Sequence, residues 1–322
     1  MAGPLRILVT SAGRRTELLN CFRHAAAALG VEAEVLACDL NPDWSSACRS
    51  ADKAFAVPRA TDEGYADAVL AICRREGVAL VVPTIDPELL PLSLARGRFA
   101  EVGCSAAVSA PPLIEIARDK LATAEFLAAH AIPSPRTAMA ETAVAYPGDW
   151  DWPLFIKPRH GSAGRGVGPV AGPGDIGASD EPMIVQSLLK GREFTINMYF
   201  DREGRMRCAV PHERLQVRAG EVEKGITRDM ALLRGLARDI AAALPGPRGA
   251  LCFQAVVDDE GAASVFEINA RFGGGYPLAD RAGANFARWL IEDVLGRPST
   301  ANDDWQAGTL MLRYDAAVFV TP

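Results

Sequence analysis

Histidine is scarce in this sequence: four residues in 322, none close to another. A structural zinc site, which draws on clustered His and Cys, is therefore disfavoured. The seven cysteines are scattered and form no Cys-x-x-Cys pair. That argues against a disulfide framework or a thiol-redox motif, and for reduced cysteines in a cytoplasmic protein. No apolar run approaches the roughly 18–20 residues of a membrane span, and Leu5–Val9 is too short for a signal-peptide core. Positive charge is outnumbered, with 34 Lys and Arg against 40 Asp and Glu and a formal net charge of -6. Neither nucleic acid nor an anionic membrane is expected as a partner, and any phosphate must be held in a local pocket. Two phosphate motifs are missing as well. The loop after the first strand offers only Gly13 rather than G-x-G-x-x-G, and no Gly-Lys-Ser/Thr occurs.

What is present suits a globular enzyme: 49% hydrophobic and 23% charged residues over a length that calls for two or three cores. Leu5–Val9 reads as a buried strand, the segment around Leu18, Leu19 and Phe22 as a helix, and Ala33–Ala37 as a second strand ending near Asp39. Such a βαβ opening implies a parallel sheet. Tyr65–Glu76 continues it as a helix, Ala79–Val82 and Ala106–Val108 as strands, with Ser109–Pro112 as a boundary. Ligands of open α/β sheets collect at the carboxyl ends of the strands. Thr10, Ser11, Arg14, Arg15 and Asp86 lie there, although Asp86 reads first as a helix N-cap.

Beyond residue 112 the texture changes. Leu113–Ala117 and Leu121–His130 are predicted helices around Asp119-Lys120, and Leu154–Lys157 is a predicted strand. The following His160–Gly168 loop is rich in small residues and suited to fold its N–H groups over phosphates. Pro169–Pro182 reads as a surface excursion. Met183–Gln186, Glu193–Phe200 and Met206–Val210 are strands joined by short connections, which points to an antiparallel sheet. Thr227 is placed to cap a helix from Arg228 to Leu244.

The informative stretch is Val265–Gly275. Its alternation places Glu267, Asn269 and Arg271 on one face, with Phe266 and Ile268 toward a core. Carboxylate and amide oxygens can ligate Mg2+, Arg271 can fork onto an anion, and Gly273–Gly275 allow close backbone approach. Leu251–Val257 and Ala263–Asn269 form a hairpin about Asp258–Gly261. Residue 254 then pairs with 265, and Gln254 becomes the diagonal neighbour of Glu267. Asn285–Leu295 is a helix burying Phe286, Trp289, Leu290 and Val294, and Thr309–Val320 adds closing strand structure.

Asp119-Lys120, Phe155–Pro158 with its glycine loop, Gln186–Glu193 and Phe266–Arg271 occur in an order and spacing that resemble the ATP-grasp enzymes, particularly their carbamoyl-phosphate synthetase-like branch. The resemblance implies a Rossmann-like domain over residues 1–112, then an ATP-grasp fold of two α+β subdomains, 113–190 with the glycine flap and 191–322 with the metal end. It implies ATP and Mg2+ (or Mn2+) as cofactors. Lys120 and Lys157 would contact phosphates, and Gly161, Ser162, Ala163, Gly164 and Gly166 would form the flap over them. Gln186, Ser187 and Leu188 would hold adenine and Glu193 the ribose. Gln254, Glu267 and Asn269 would ligate the metal, and Arg271 with Lys157 would act on the transferred phosphate. Many relatives carry an acid where Gln254 stands, so the charge around the metal would be lower here.

The implied activity is carboxylate–amine ligation through an acyl phosphate, with a homodimer as the default assembly. Three alternatives remain open, one of them a non-catalytic ATP-binding regulator, against which the intact Glu267 and Asn269 pair counts. A small-molecule kinase would use the same ATP residues, and a nicotinamide dehydrogenase would rest on Gly13 and Asp39. Arg159, His160, Arg165, Arg218 and Lys224 read first as solvated basic residues, with a place in the acceptor pocket as the second reading.

Overall fold

The computed structural model describes residues 3–161 and 167–320. Its first sheet is parallel, with strands β1 (Leu5–Val9), β2 (Ala33–Asp39), β3 (Ala54–Ala56), β4 (Leu80–Val82) and β5 (Ser105–Ala106) in the order β3-β2-β1-β4-β5. Ile7, Leu8, Val9, Val35, Leu36 and Ala37 are all buried, because helices cover both faces. The strand order reverses between β1 and β4. Loops leaving those two strands therefore diverge and open a crevice at their carboxyl ends.

A second, four-stranded antiparallel sheet contains β6 (Thr137–Met139), β7 (Leu154–Pro158), β8 (Gly168–Val170) and β9 (Met183–Ser187), in the order β6-β9-β7-β8. Its core is its own, formed around Trp150, Leu154, Ile156 and Val185. The stretch read as a surface excursion contributes β8, and Val170 is buried.

The third sheet runs β14-β13-β10-β11-β12-β15 and is antiparallel. Its strands are β10 (Arg192–Phe200), β11 (Met206–Arg218), β12 (Glu221–Thr227), β13 (Gly249–Val257), β14 (Ala263–Asn269) and β15 (Leu310–Leu312). Period-two alternation sorts its faces. Phe194, Ile196, Met198, Leu251, Phe253 and Ala255 enter a core shared with Leu8, Leu36 and Val81 of the parallel sheet. Glu193, Thr195, Asn197, Cys252 and Gln254 alternate with them and face the other way.

Several expectations are corrected. The helix expected from Thr227 spans Ala231–Ala243, its cap position is Met230, and Thr227 instead ends β12. Thr227 Oγ1 donates to Gln306 O at 2.8 Å, so its hydroxyl serves a loop. The boundary prolines open a helix, Pro111–Arg118, because a first-turn proline lacks only an N–H that has no helical partner anyway. Strand β11 runs on to Arg218 and turns back into β12 through Ala219 and Gly220, both with positive φ (50° and 79°). That is the backbone of a two-residue primed turn, and Gly220 adopts it without a Cβ penalty. Of Thr309–Val320 only Leu310–Leu312 is strand, and Val294 is half-buried.

Candidate functional site

One cleft of about 870 Å3 lies between the three sheets. Every residue that the ATP-grasp resemblance placed at the nucleotide or metal, within the described part of the chain, lines it: Lys120, Lys157, Gly161, Gln186, Ser187, Leu188, Glu193, Gln254, Glu267, Asn269 and Arg271. Ser162, Ala163, Gly164 and Gly166, read as flap, lie outside the described residues, as does Arg165.

At one end the small sheet supplies the groups. Asp119 caps the helix Lys120–Ala129 by accepting from the N–H of Leu121 and Ala122 at 3.0 and 3.3 Å. Its carboxylate also takes Arg159 NH2 at 2.6 Å, and Lys120 N donates to Arg159 O at 3.1 Å. This double anchor ties Lys120 to the end of β7, where its Nζ donates to Gly161 O at 2.6 Å. Lys157, on β7, is 7% exposed and lies over the Phe266 ring at 5.4 Å. Burial lowers its ammonium to about 8, Glu267 opposing that shift and Lys120 adding to it. Gln186 is buried on β9 and donates to Thr137 Oγ1 at 2.9 Å.

Phe266 reaches this end through an unforeseen bulge. In the β13–β14 pair Gln254 faces Glu267 directly, while the next pair is Ala255 with Val265. Phe266 is the extra residue. Val265 and Ile268 stay in the core, whereas Phe266 and Glu267 both line the cleft. The expected 254–265 pairing and the core position of Phe266 are thus corrected. The correction brings Gln254 and Glu267 closer than a diagonal would.

The sheet's cleft face continues with Glu193 and Gln254, bridged by Arg214, a residue without an earlier motif. Arg214 NH1 donates to Glu193 Oε1 at 2.5 Å and Gln254 Oε1 at 3.1 Å, and NH2 to Gly220 O at 2.8 Å. Beside it His212 is fully buried and held near 3 by burial, with Arg214 and Arg313 adding to the effect. Cys252 also lines the cleft, but burial pushes its thiol up to about 12, out of the range of a thiolate nucleophile.

The far end is built across the chain. Arg271 donates to Asp86 Oδ2 from Nε at 3.1 Å and from NH2 at 2.8 Å, and to Asn269 Oδ1 at 2.8 Å. Burial opposes its charge most strongly, yet the surrounding groups, Asp86 foremost and Glu267 among them, together hold the guanidinium above its ordinary range. Asp86 is thus not the cap of the helix Asp86–Leu94, whose cap position is Ile85. It is the counter-ion of Arg271, 185 residues away. Asp86 and Arg15 arrive by the crevice between β1 and β4, and Glu221 by the β11–β12 turn. Arg218 pairs with Asp315 (2.6 Å) and Glu223 (3.1 Å), Arg159 with Asp119, and His160 and Lys224 are exposed. None of these four lines the cleft, and Arg14 is exposed too.

The oxygen donors suit one metal ion only in company. Among the described residues no group of three His, Cys, Asp or Glu could hold an ion. Glu267, Gln254 and Asn269 offer one carboxylate and two amide oxygens, a set that fits a Mg2+ taking its other ligands from phosphate and water.

The Rossmann alternative loses its ground here. Gly13 N donates to Asp39 Oδ2 at 2.8 Å, and Gly13 O accepts from Ser45 Oγ at 2.8 Å. The loop N–H and the acid that would share a dinucleotide are spent on each other.

Comparison with known proteins agrees with this architecture. Residues 7–107 match the family described as PylC-like, N-terminal domain, and residues 179–316 match ATP-grasp in the biosynthetic pathway with Ter operon. The chain therefore carries an ATP-grasp domain behind a PylC-like N-terminal domain. No curated protein matches the sequence. Among solved structures, N5-carboxyaminoimidazole ribonucleotide synthetase from Thermotoga maritima superposes with a TM-score of 0.66 at 18% identity, over 93% of this chain and 78% of that one. The biotin carboxylase domain of Hydrogenobacter thermophilus 2-oxoglutarate carboxylase, in complex with MgADP and bicarbonate, gives 0.72 at 14%, over 94% and 72%. L-amino acid ligase from Bacillus licheniformis gives 0.68 at 17%, over 93% and 76%. At these identities the likeness is one of fold.

Proposed function

We propose that the protein is an ATP-dependent ligase that activates a carboxylate as an acyl phosphate, releases ADP, and joins the acyl group to an amine. The observation that carries this reading is the single cleft uniting two lysines, Gln186, Glu193, the Gln254–Glu267 pair, Asn269 and Arg271. Three neighbours of the same fold point the same way by their names, two synthetases or ligases and a carboxylase domain holding MgADP. Residues 1–112 serve as the N-terminal domain, 113–190 bring the flap, and 191–322 bring the metal end.

In this reading Lys120 and Lys157 hold the phosphates, with Gly161 at the start of the flap loop. Gln186, Ser187 and Leu188 face adenine, and Glu193 faces the ribose. Gln254, Glu267 and Asn269 hold Mg2+, which neutralises phosphate charge when bound. A carboxylate oxygen attacks the γ-phosphorus and ADP departs. The amine nitrogen then attacks the acyl carbon, phosphate leaves, and the amine proton is lost to solvent. Positioning and charge neutralisation do most of the work in such transfers. Arg271 contributes a fixed cation whose orientation Asp86 and Asn269 set. The partners proposed are small molecules. The Hydrogenobacter domain is described as a dimer, and a homodimer is proposed here. No helix among the described residues is long and apolar enough to cross a membrane. A cytoplasmic setting is proposed, in keeping with seven free, buried cysteines.

ADP release, screened over carboxylates and amines with Mg2+, tests the reading. Dependence on both a carboxylate and an amine is expected, with turnover falling about 10²–10³-fold in Glu267→Ala. Phosphate retained on the product would favour a kinase. Activity surviving in Glu267→Ala would overturn the metal assignment.

A further inference from the structure

The far end of the cleft holds more positive charge than the reading above employs. Arg15, after β1, and Arg271, after β14, line the cleft together with Gly273–Gly275, and Arg313, after β15, stands just outside that lining and donates to Gly274 O. Arg271 has Asp86 to itself at 2.8 Å. Of the other two, Arg15 has the Glu221 carboxylate within ion-pair distance at 3.7 Å, and Arg313 feels that carboxylate from beyond such a distance.

The fit of Glu221 in this nest is loose. Its Oε1 is 3.7 Å from Arg15 NH2, too far for a hydrogen bond. The other contact of Arg15, with Thr84 O, is 3.5 Å. Oε2 of Glu221 lies over the backbone of Gly274, where an added Cβ would be 1.5 Å from it, and Arg313 donates to Gly274 O from below. Glu221 is the first residue of β12, next to the two-residue turn, and 38% of its side chain is exposed. Its carboxylate can leave by side-chain rotation alone, which exposed groups complete in nanoseconds.

Resting on the ligase reading, we propose that Glu221 is a place-holder for the substrate. The carboxylate to be phosphorylated takes the position of the Glu221 carboxylate, beside Arg15 and against Gly274 with Arg313 behind that glycine's carbonyl, and Glu221 swings out as it enters. Arg15 and Arg313 then select an anionic carboxylic acid over its amide or ester. Gly274 keeps the floor free of a side chain.

Glu221→Gln and Glu221→Ala test this in two ways. In steady state at saturating ATP, removing the internal competitor lowers KM for the carboxylate by about two- to fivefold, with KM for ATP unchanged. An unchanged or raised carboxylate KM in Glu221→Gln overturns the proposal, the latter because it would make Glu221 a substrate ligand. The second readout needs no turnover. Sodium acetate, compared with sodium chloride at equal ionic strength, should raise the melting temperature of Glu221→Ala more than that of the wild type. The extra shift should vanish in Arg15→Ala/Glu221→Ala. Equal acetate shifts in wild type and Glu221→Ala overturn the place-holder. If the wild type binds ATP but releases ADP with no carboxylate, the ligase reading fails, and the acetate arm still decides the fate of the nest.

Discussion

At the end of the cleft proposed for nucleotide, Lys120, Lys157, Gln186 and Glu193 sit on one helix start and three strand ends, and apart from the Glu193–Arg214 pair their contacts are with backbone or neutral groups. At the end proposed for the acceptor, Arg271, Asp86, Arg15, Glu221 and Arg313 come from five separate segments, and each charge leans on another. The first arrangement is a cradle whose shape follows from local chain direction. The second is an electrostatic assembly that exists only when the parallel sheet and the six-stranded sheet are both in place. A nucleotide has invariant phosphates, whereas an acceptor pocket must exclude wrong acids, and crossed ion pairs supply that rejection through unpaired charge.

The largest expected effect that separates the two ends is on the Asp86–Arg271 pair. Asp86→Ala leaves a mostly buried guanidinium unpaired and should destabilise the protein by about 1–3 kcal/mol, below the full cost of a buried pair because Asp86 is 28% exposed. A double-mutant cycle with Arg271→Ala in urea should show coupling of similar size, about 1–3 kcal/mol. Additivity would mean that the contact is incidental. Lys157, at the other end, has no comparable partner to couple with among the described residues.

Next come the glycines of the floor. Gly275→Ala would drive a Cβ to 2.7 Å from His212 Nε2 and 2.9 Å from Val222, both in buried side chains. A loss of about 1–3 kcal/mol is expected from such overpacking. For Gly274→Ala the nearest atoms are all in the movable carboxylate of Glu221, so its melting temperature should stay near that of the wild type. If both substitutions cost the same, the Glu221 carboxylate is held more firmly than its 3.7 Å contact indicates.

The nucleotide end should betray itself through pH. Lys157 is charged below about 8 and loses its proton as pH rises through that value. ATP affinity should therefore weaken above about pH 8 in the wild type. Lys157→Arg, which stays charged, should flatten the profile up to about pH 10. A wild-type profile that is flat from pH 7 to 10 would remove Lys157 from the phosphates.

The smallest effect concerns Gln254. The substitution Gln254→Glu adds a negative charge opposite Glu267 and should lower the Mg2+ concentration for half-maximal activity by a few-fold. The gain is limited because Arg214 already contacts that side chain at 3.1 Å.

Much of this was legible in the chain. Leu5–Val9, Tyr65–Glu76 and Ala263–Asn269 fall where their periodicity puts them. The cleft residues from Lys120 to Arg271 could be listed because each belongs to a short motif with its own strand or loop. Strand β12 was not legible, since Glu221–Thr227 alternates weakly and its turn is Ala-Gly rather than Asn-Gly. Arg214 and Glu221 were missed with it. The bulge at Phe266 was hidden for a different reason: an alternating run looks the same with or without one extra residue.

The sequence by itself determined the local elements, the parallel and antiparallel halves, and many of the groups that line the cleft. Backbone propensity and side-chain period are local properties, readable over ten residues. Only the tertiary structure decided that Asp86 answers Arg271 rather than capping a helix, and that Glu221 stands beside Arg15 and over Gly274. Charge pairing depends on distance in space, and 185 residues of chain between Asp86 and Arg271 carry no trace of the 2.8 Å that separates them.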